Sequence, residues 1–319
     1  MLRCLFLIII LITFLTGCGF DRDNAKYTTA RTYSVTDDLG NVLQFDKKPT
    51  KIYASTLSLE EVLVDLVSPD RIVAISEMAT DDKLSLISQK ASLVNKKIQG
   101  RIGVEGILSL NPDLVLMQDN MDATIINSLK DVGLKVFVSN VPVTVEMICK
   151  RILKISQAVG EEEKGKKLVG EMWSKILKSQ EKLSSLTDND KKIIMAYSQQ
   201  GVFGSAKGVF NDICNKALVK NGAAMAGLVR GEHLSKEKII EYNPDIFIFP
   251  SYDTGKYGNL DLFIQEVLND PALTNVKAIK NNNIMIIKDR YRSTTSHYVG
   301  DAILEISKNA YPQYFEESN

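Results

Sequence analysis

The sequence predicts an α/β protein of two Rossmann-like lobes, each built on a central parallel sheet, joined by a single long helix. Three observations carry that expectation. Short apolar runs rich in Val, Ile and Phe alternate with segments of helical period, which is the pattern of βαβ units. The alternation stops between residues 143 and 186, where almost everything has helical period, and then restarts. One phrase also occurs twice: NPDLVLM at 111–117 and NPDIFIF at 243–249, each with a Glu six residues before its Asn, Glu105 and Glu237.

The elements follow in order. Residues 32–35 and 42–45 read as a hairpin, IYAS from Ile52 as a strand, SLEEVLVDLV as a helix and RIVAIS from Arg71 as a second strand. Helix VEGILSL, strand DLVLM, helix ATIINSLKDVG and strand KVFVS complete an N-terminal lobe at 32–142. Two amphipathic runs broken near Gly160 form a helical segment at 143–190 that holds the interdomain backbone helix. A C-terminal lobe at 191–319 follows, with strand KIIMAYS, helices NDICNKALVKNG and SKEKIIEY, strand DIFIFP, helix NLDLFIQEVLN, strand NIMIIK and a last helix from about Ser296 to Asn309. Each NPD copy occupies the same place in its lobe: Pro closes the preceding helix, Asp opens a strand, and the apolar run fills a two-sided core. The equal offset puts Glu105 and Glu237 on the first turn of equivalent helices, where a carboxylate complements the helix dipole.

Composition restricts the function. The chain has 319 residues, 45% hydrophobic and 24% charged, and its 39 basic and 39 acidic residues cancel. No global field would hold a nucleic acid or an anionic membrane against it. The N-terminus, basic at Arg3 and apolar over 5–15, has the layout of a secretory signal over 1–17. Eleven apolar residues span roughly 16 Å as helix, about half a hydrocarbon core, too little for a stable span. Leu15, Thr16, Gly17 and Cys18 resemble a bacterial lipobox, which predicts a lipid on Cys18, a polar tether over 18–31 and anchorage to the outer face of a membrane. Cys4 leaves with the signal. Cys149 and Cys214 could pair in an oxidising compartment, although their apolar helical settings favour two buried free thiols.

A ligand crevice is expected beyond the carboxyl ends of the parallel strands. In the first lobe that selects Thr56, Ser58, Met78, Arg101, Gln118 and Asp119; in the second, Gln199, Gln200, Phe203, Arg230, His233, Tyr252, Arg290, Tyr291, Arg292 and His297. Arginines there suit carboxylates, catecholates or phosphates, because a planar fork donates two hydrogen bonds to paired oxygens. Each also has a structural role open to it: Tyr252 and Tyr291 could close a sheet end, Arg292 could pair with Asp301, and His297 could cap the last helix. Trp173, with Met172, Ile176 and Leu177 nearby, reads as core. With two His, no clustered Cys and no GxSxG, P-loop or HExxH, neither catalytic residues nor a resident metal can be assembled, and the GSAKG segment around Lys207 reads as a turn.

These features together resemble the periplasmic binding proteins for ferric siderophores, haem and cobalamin that serve ABC importers. The resemblance runs over roughly residues 32–315 and rests on KIYASTLSLEEVLVDL, VEGILSLNPDLVLM, GVFGSAKGVFNDI, LSKEKIIEYNPDIFIF and YRSTTSHYVGDAILEISKNAYPQYF in that order. It implies that the chain holds no cofactor and carries a cargo, an iron complex such as a ferric siderophore or related chelate in the first instance, with cobalamin or haem as alternatives. It implies a permease dimer with its ATPase as partner, docked through Glu105 and Glu237. His233 and Met78 could together ligate a haem iron. A lipid-anchored scavenger or sensor without a permease is the remaining alternative. A stiff helical connection predicts a small closure about a preformed cleft.

Overall fold

Most of the apolar runs found in the sequence are strands of two five-stranded sheets, and the runs at 114–118, 136–139 and 246–249 are buried on both faces. A computed structural model describes residues 32–252 and 259–316. The signal segment 1–17, Cys18 and the tether to residue 31 lie outside the described residues. From Thr32 onward the chain is one compact unit.

A hairpin of β1 (Tyr33–Thr36) and β2 (Val42–Phe45) precedes the first sheet. That sheet comprises β3 (Ile52–Ala54), β4 (Ile72–Ser76), β5 (Lys97–Ile98), β6 (Leu114–Gln118) and β7 (Val136–Ser139), in the order β5-β4-β3-β6-β7 and parallel throughout. Its helices are α1 (Leu57–Leu66), α2 (Glu77–Thr80), α3 (Ser88–Ser92), α4 (Val104–Ser109) and α5 (Ala123–Asp131). The chain then crosses through α6 (Val145–Ala158) and α7 (Glu162–Lys182), the latter 21 residues long.

The second sheet comprises β8 (Ile193–Ser198), β9 (Gly201–Phe203), β10 (Lys220–Asn221), β11 (Ile246–Phe249) and β12 (Ile284–Ile286). The order β10-β8-β11-β12 is parallel, and β9 folds back antiparallel on β8. Around it lie α8 (Val209–Lys216), α9 (Gly222–Met225), α10 (Lys236–Tyr242), α11 (Leu260–Leu268), α12 (Lys277–Lys280) and α13 (Val299–Ala310). The antiparallel β9 was not predicted. It arises because Gln199 and Gln200 make a two-residue turn and Gly201 adopts φ +112, a backbone region that favours glycine.

The doubled phrase has a doubled mechanism, with one correction. Asn111 and Asn243, at φ +49 and +45, end their helices in the left-handed conformation, so Asn rather than Pro closes them. Asp113 then grips the start of the neighbouring strand, accepting from the Thr50 and Lys51 backbone N–H groups at 2.8 and 3.0 Å while its own N–H donates to the Lys51 carbonyl at 2.8 Å. Asp245 does the same to Ile193, accepting at 2.9 Å and donating at 2.7 Å. β6 is thereby registered on β3 and β11 on β8, the central pair of each sheet.

The crossing helices pack closely for a visible reason. On α6, Val145, Ile148, Ile152 and Ile155 recur at helical spacing and are buried, and Thr144 caps the start by accepting from the Met147 N–H at 3.2 Å. Gly160, at φ +71, lets the chain reverse into α7. A Cβ on Gly165 would lie 2.1 Å from Ser156 Oγ, and one on Gly300 would lie 2.8 Å from the Met172 carbonyl. Glycine is therefore required where α7 meets α6 and where α13 meets α7. Trp173 is only partly buried against this core, donating from Nε1 to Cys149 Sγ at 3.0 Å. Cys149 and Cys214 are both free thiols, and burial raises the pKa of each.

Candidate functional site

Two of the pockets among the described residues lie at the carboxyl ends of the strands and hold several of the residues selected from the sequence. The first, about 230 Å³, belongs to the N-terminal sheet and is lined by the residues that follow β3, β4 and β5, among them Thr56, Met78 and Arg101. Thr56 is the N-cap residue of α1, and its hydroxyl lies 3.4 Å from that of Ser58. Ser58 accepts from the Gln118 amide at 3.1 Å, so these two side chains, both buried, hold each other beneath the strand ends. Glu60, buried on α1, also lines this pocket.

The second pocket, about 660 Å³, is closed by Val141, Pro142 and Val143 after β7 on one side and by the C-terminal sheet on the other. The β9 fold-back brings Phe203 into its wall. The Arg292 guanidinium lies over that ring, 4.8 Å from its centroid, donating to the Tyr197 carbonyl and to Asp289. Asp289, not Asp301, is its acid. Lys207 and Arg230 complete the cationic lining and make no ion pair among the described residues, and Glu232 is the single acid on the wall. Lys207, read from the sequence as part of a turn, thus joins the site.

Between the sheets runs a polar seam that sequence inspection missed. Arg290 sets both arms of its fork on Glu61, Nε to Oε1 at 3.0 Å and Nη2 to Oε2 at 2.9 Å, with Glu61 wholly buried. The Thr294 hydroxyl adds a third donor at 3.3 Å. Arg151, buried on α6, donates to the carbonyl of Thr295 and to its hydroxyl. Asp65 is the second hub: it accepts from Tyr298 at 2.9 Å and from Lys90, and meets His297 Nε2 at 3.2 Å. The carboxylates thus come from α1, and their main donors come from residues 290–298.

Burial would raise the Asp65 pKa, but the hydrogen bonds from His297 and Lys90 outweigh it and hold the group at about 2. A folded-state pKa below the unfolded value contributes stability that is present above pH about 4 and is lost as pH falls toward 2. Asp65→Asn is expected to flatten the stability profile in that window, read as urea midpoints at pH 5 and pH 3. An unchanged acid slope in the variant would refute the assignment.

The other sequence-selected residues are dispersed. Tyr291 is partly buried against the main core, and burial raises its pKa. Tyr252 is half-buried beside Ser251, whose hydroxyl accepts from the Asp289 N–H. His233 is exposed and lines neither pocket, so the structure does not bring it together with Met78. Glu105 and Glu237 are exposed in the first turns of α4 and α10. In each sheet such a helix runs opposite to the strand it feeds, which puts both carboxylates at the carboxyl edge. Backbone N–H donation and the Ser235 hydroxyl hold the Glu237 pKa below its ordinary value.

Residues 52–291, from the first strand of one sheet to the loop of the seam, match the model of a single family, described as periplasmic binding protein. The chain belongs to the periplasmic binding protein family. It is 26% identical over 315 residues to the uncharacterized ABC transporter substrate-binding lipoprotein YvrC of Bacillus subtilis, covering 95% of each chain. Among solved structures, the periplasmic haem-binding protein RhuT of Roseiflexus sp. RS-1 in apo form superposes with a TM-score of 0.70 at 20% identity, over 83% of this chain and 98% of that one. The molybdate periplasmic binding protein MolA of Haemophilus influenzae gives 0.72 at 16% identity, over 89% and 92%. The shared feature is the two-lobe fold, and no helix among the described residues of this periplasmic binding protein is long and apolar enough to cross a membrane.

Proposed function

We propose that this periplasmic binding protein is the substrate-binding component of an ABC importer, and that it captures an anionic iron complex, a ferric siderophore or related chelate, for delivery to a permease dimer and its ATPase. The observation that carries the reading is the lining of the larger pocket: Lys207, Arg230 and Arg292 share the wall of a space of about 660 Å³ with Phe203, over whose ring Arg292 lies. Lys207 and Arg230, which make no ion pair among the described residues, suit a chelate whose oxygens bear excess negative charge, and the ring offers a face to its planar parts. The role is binding, not catalysis. Lipid on Cys18 would tether the protein outside the membrane, in keeping with the lipoprotein designation of YvrC. Glu105 and Glu237 would meet basic sockets on the two permease chains.

A spectral titration of the purified protein with ferric hydroxamates, ferric catecholates, haem and cyanocobalamin tests the cargo. Lys207→Glu combined with Arg230→Glu is expected to weaken the preferred anionic chelate by at least about tenfold, or about 1.4 kcal/mol. Saturable binding of haem or cyanocobalamin alone, or a chelate affinity indifferent to charge reversal, would refute it.

A further inference from the structure

We propose that the smaller, N-terminal pocket is a binding site for a protonated primary amine, with Glu60 as its counter-ion. Glu60 is 2% exposed, and both of its oxygens are held by one residue: the Ser76 N–H donates to Oε1 and the Ser76 hydroxyl to Oε2, each at 2.6 Å. These donors fix the carboxylate at the pocket wall and leave each oxygen able to accept again. No cation pairs with Glu60 among the described residues. The adjacent Glu61 takes Arg290 for itself.

A buried carboxylate without a cation is costly, and burial accordingly raises the Glu60 pKa. The rest of the wall fits an alkylammonium. Tyr53 and Ile98 supply apolar surface, and Met78 supplies a thioether at the pocket mouth. The cavity of about 230 Å³ takes a short alkyl chain. A metal ion fits poorly, because no group of three or more His, Cys, Asp or Glu side chains converges among the described residues. An anion would meet Glu60 at the inner end; Arg101, the cation of the lining, is exposed at the rim and makes no ion pair with it.

The inference deepens the capture reading and rests on it for the source of the amine, which would be a pendant arm of the cargo. The probes are pentylammonium and its neutral analogue pentan-1-ol, titrated by ligand-observed NMR into the intact purified protein and into Glu60→Gln. Expected is saturable binding of pentylammonium, at least about tenfold tighter than that of pentan-1-ol, with the preference lost in Glu60→Gln. Equal binding of the two probes, no binding of pentylammonium, or an undiminished preference in Glu60→Gln would overturn the proposal. An unchanged urea midpoint shows that the variant is folded. Because the probes contain no metal, the two readings separate. Protein that binds pentylammonium but no ferric chelate keeps this site and loses the iron assignment, and the reverse result loses this site alone.

Discussion

Glu105→Arg combined with Glu237→Arg is expected to reduce cargo uptake to background while cargo affinity stays within about twofold of the parent. Both carboxylates are exposed, and neither lines either of the two pockets described above. Each sits in the first turn of a helix that feeds the NPD strand of its sheet. Reversing their charge leaves the walls of both described pockets intact and, on the proposed docking, would set like charge against like at the permease surface, a juxtaposition that costs several kcal/mol. Transport in cells and affinity of purified protein are the two measurements. Undiminished transport would remove these residues from docking; lost affinity would place them at the cargo. Each single reversal is expected to give intermediate uptake, since the two contacts would fall on separate permease chains.

The second large effect is on stability. Glu61→Ala is expected to lower the unfolding free energy by about 3–5 kcal/mol, because it leaves the Arg290 guanidinium largely buried without its acid. Arg290→Ala should cost a similar amount for the opposite reason, stranding a carboxylate that is wholly buried and otherwise receives, among the described residues, the Thr294 hydroxyl alone. The double variant should cost clearly less than the sum of the two singles. Urea denaturation of the three proteins gives the cycle, and simple additivity would mean that the ion pair contributes nothing beyond its separate parts.

The fold was legible where burial imposes a period. β6, β7 and β11 lie entirely in the interior, so their apolar runs stood out, and the helical stripe of α6 did so for the same reason. The repeat of NPD was also visible, although its mechanism was not. A left-handed Asn is marked in the sequence only by the residue type, and the grip of Asp113 and Asp245 depends on strands reached over 50 residues earlier in the chain.

The site was less legible because its charges are satisfied at long range. Glu60, Glu61 and Asp65 read like the polar face of an ordinary amphipathic helix. What distinguishes them is that, Lys90 apart, the partners of Glu61 and Asp65 lie more than 200 residues away, at 290–298. For the same reason the sequence could not say whether Arg290 and Arg292 serve the ligand or the scaffold. Arg290 is given over to Glu61, and Arg292 is divided between Asp289 and the pocket wall. Lys207 carried one faint cue, a lone cation between glycines, which fits a side chain presented at a cavity rim as well as it fits a turn.

The length of α7 has a mechanical corollary. At 1.5 Å per residue, its 21 residues make a strut of about 32 Å. Tilting such a lever by about five degrees about one end displaces the other by roughly 3 Å, as far as the 2.9 Å contact by which Arg290 holds Glu61. A shift between the halves large enough to part that ion pair would therefore leave the outline of the molecule nearly unchanged.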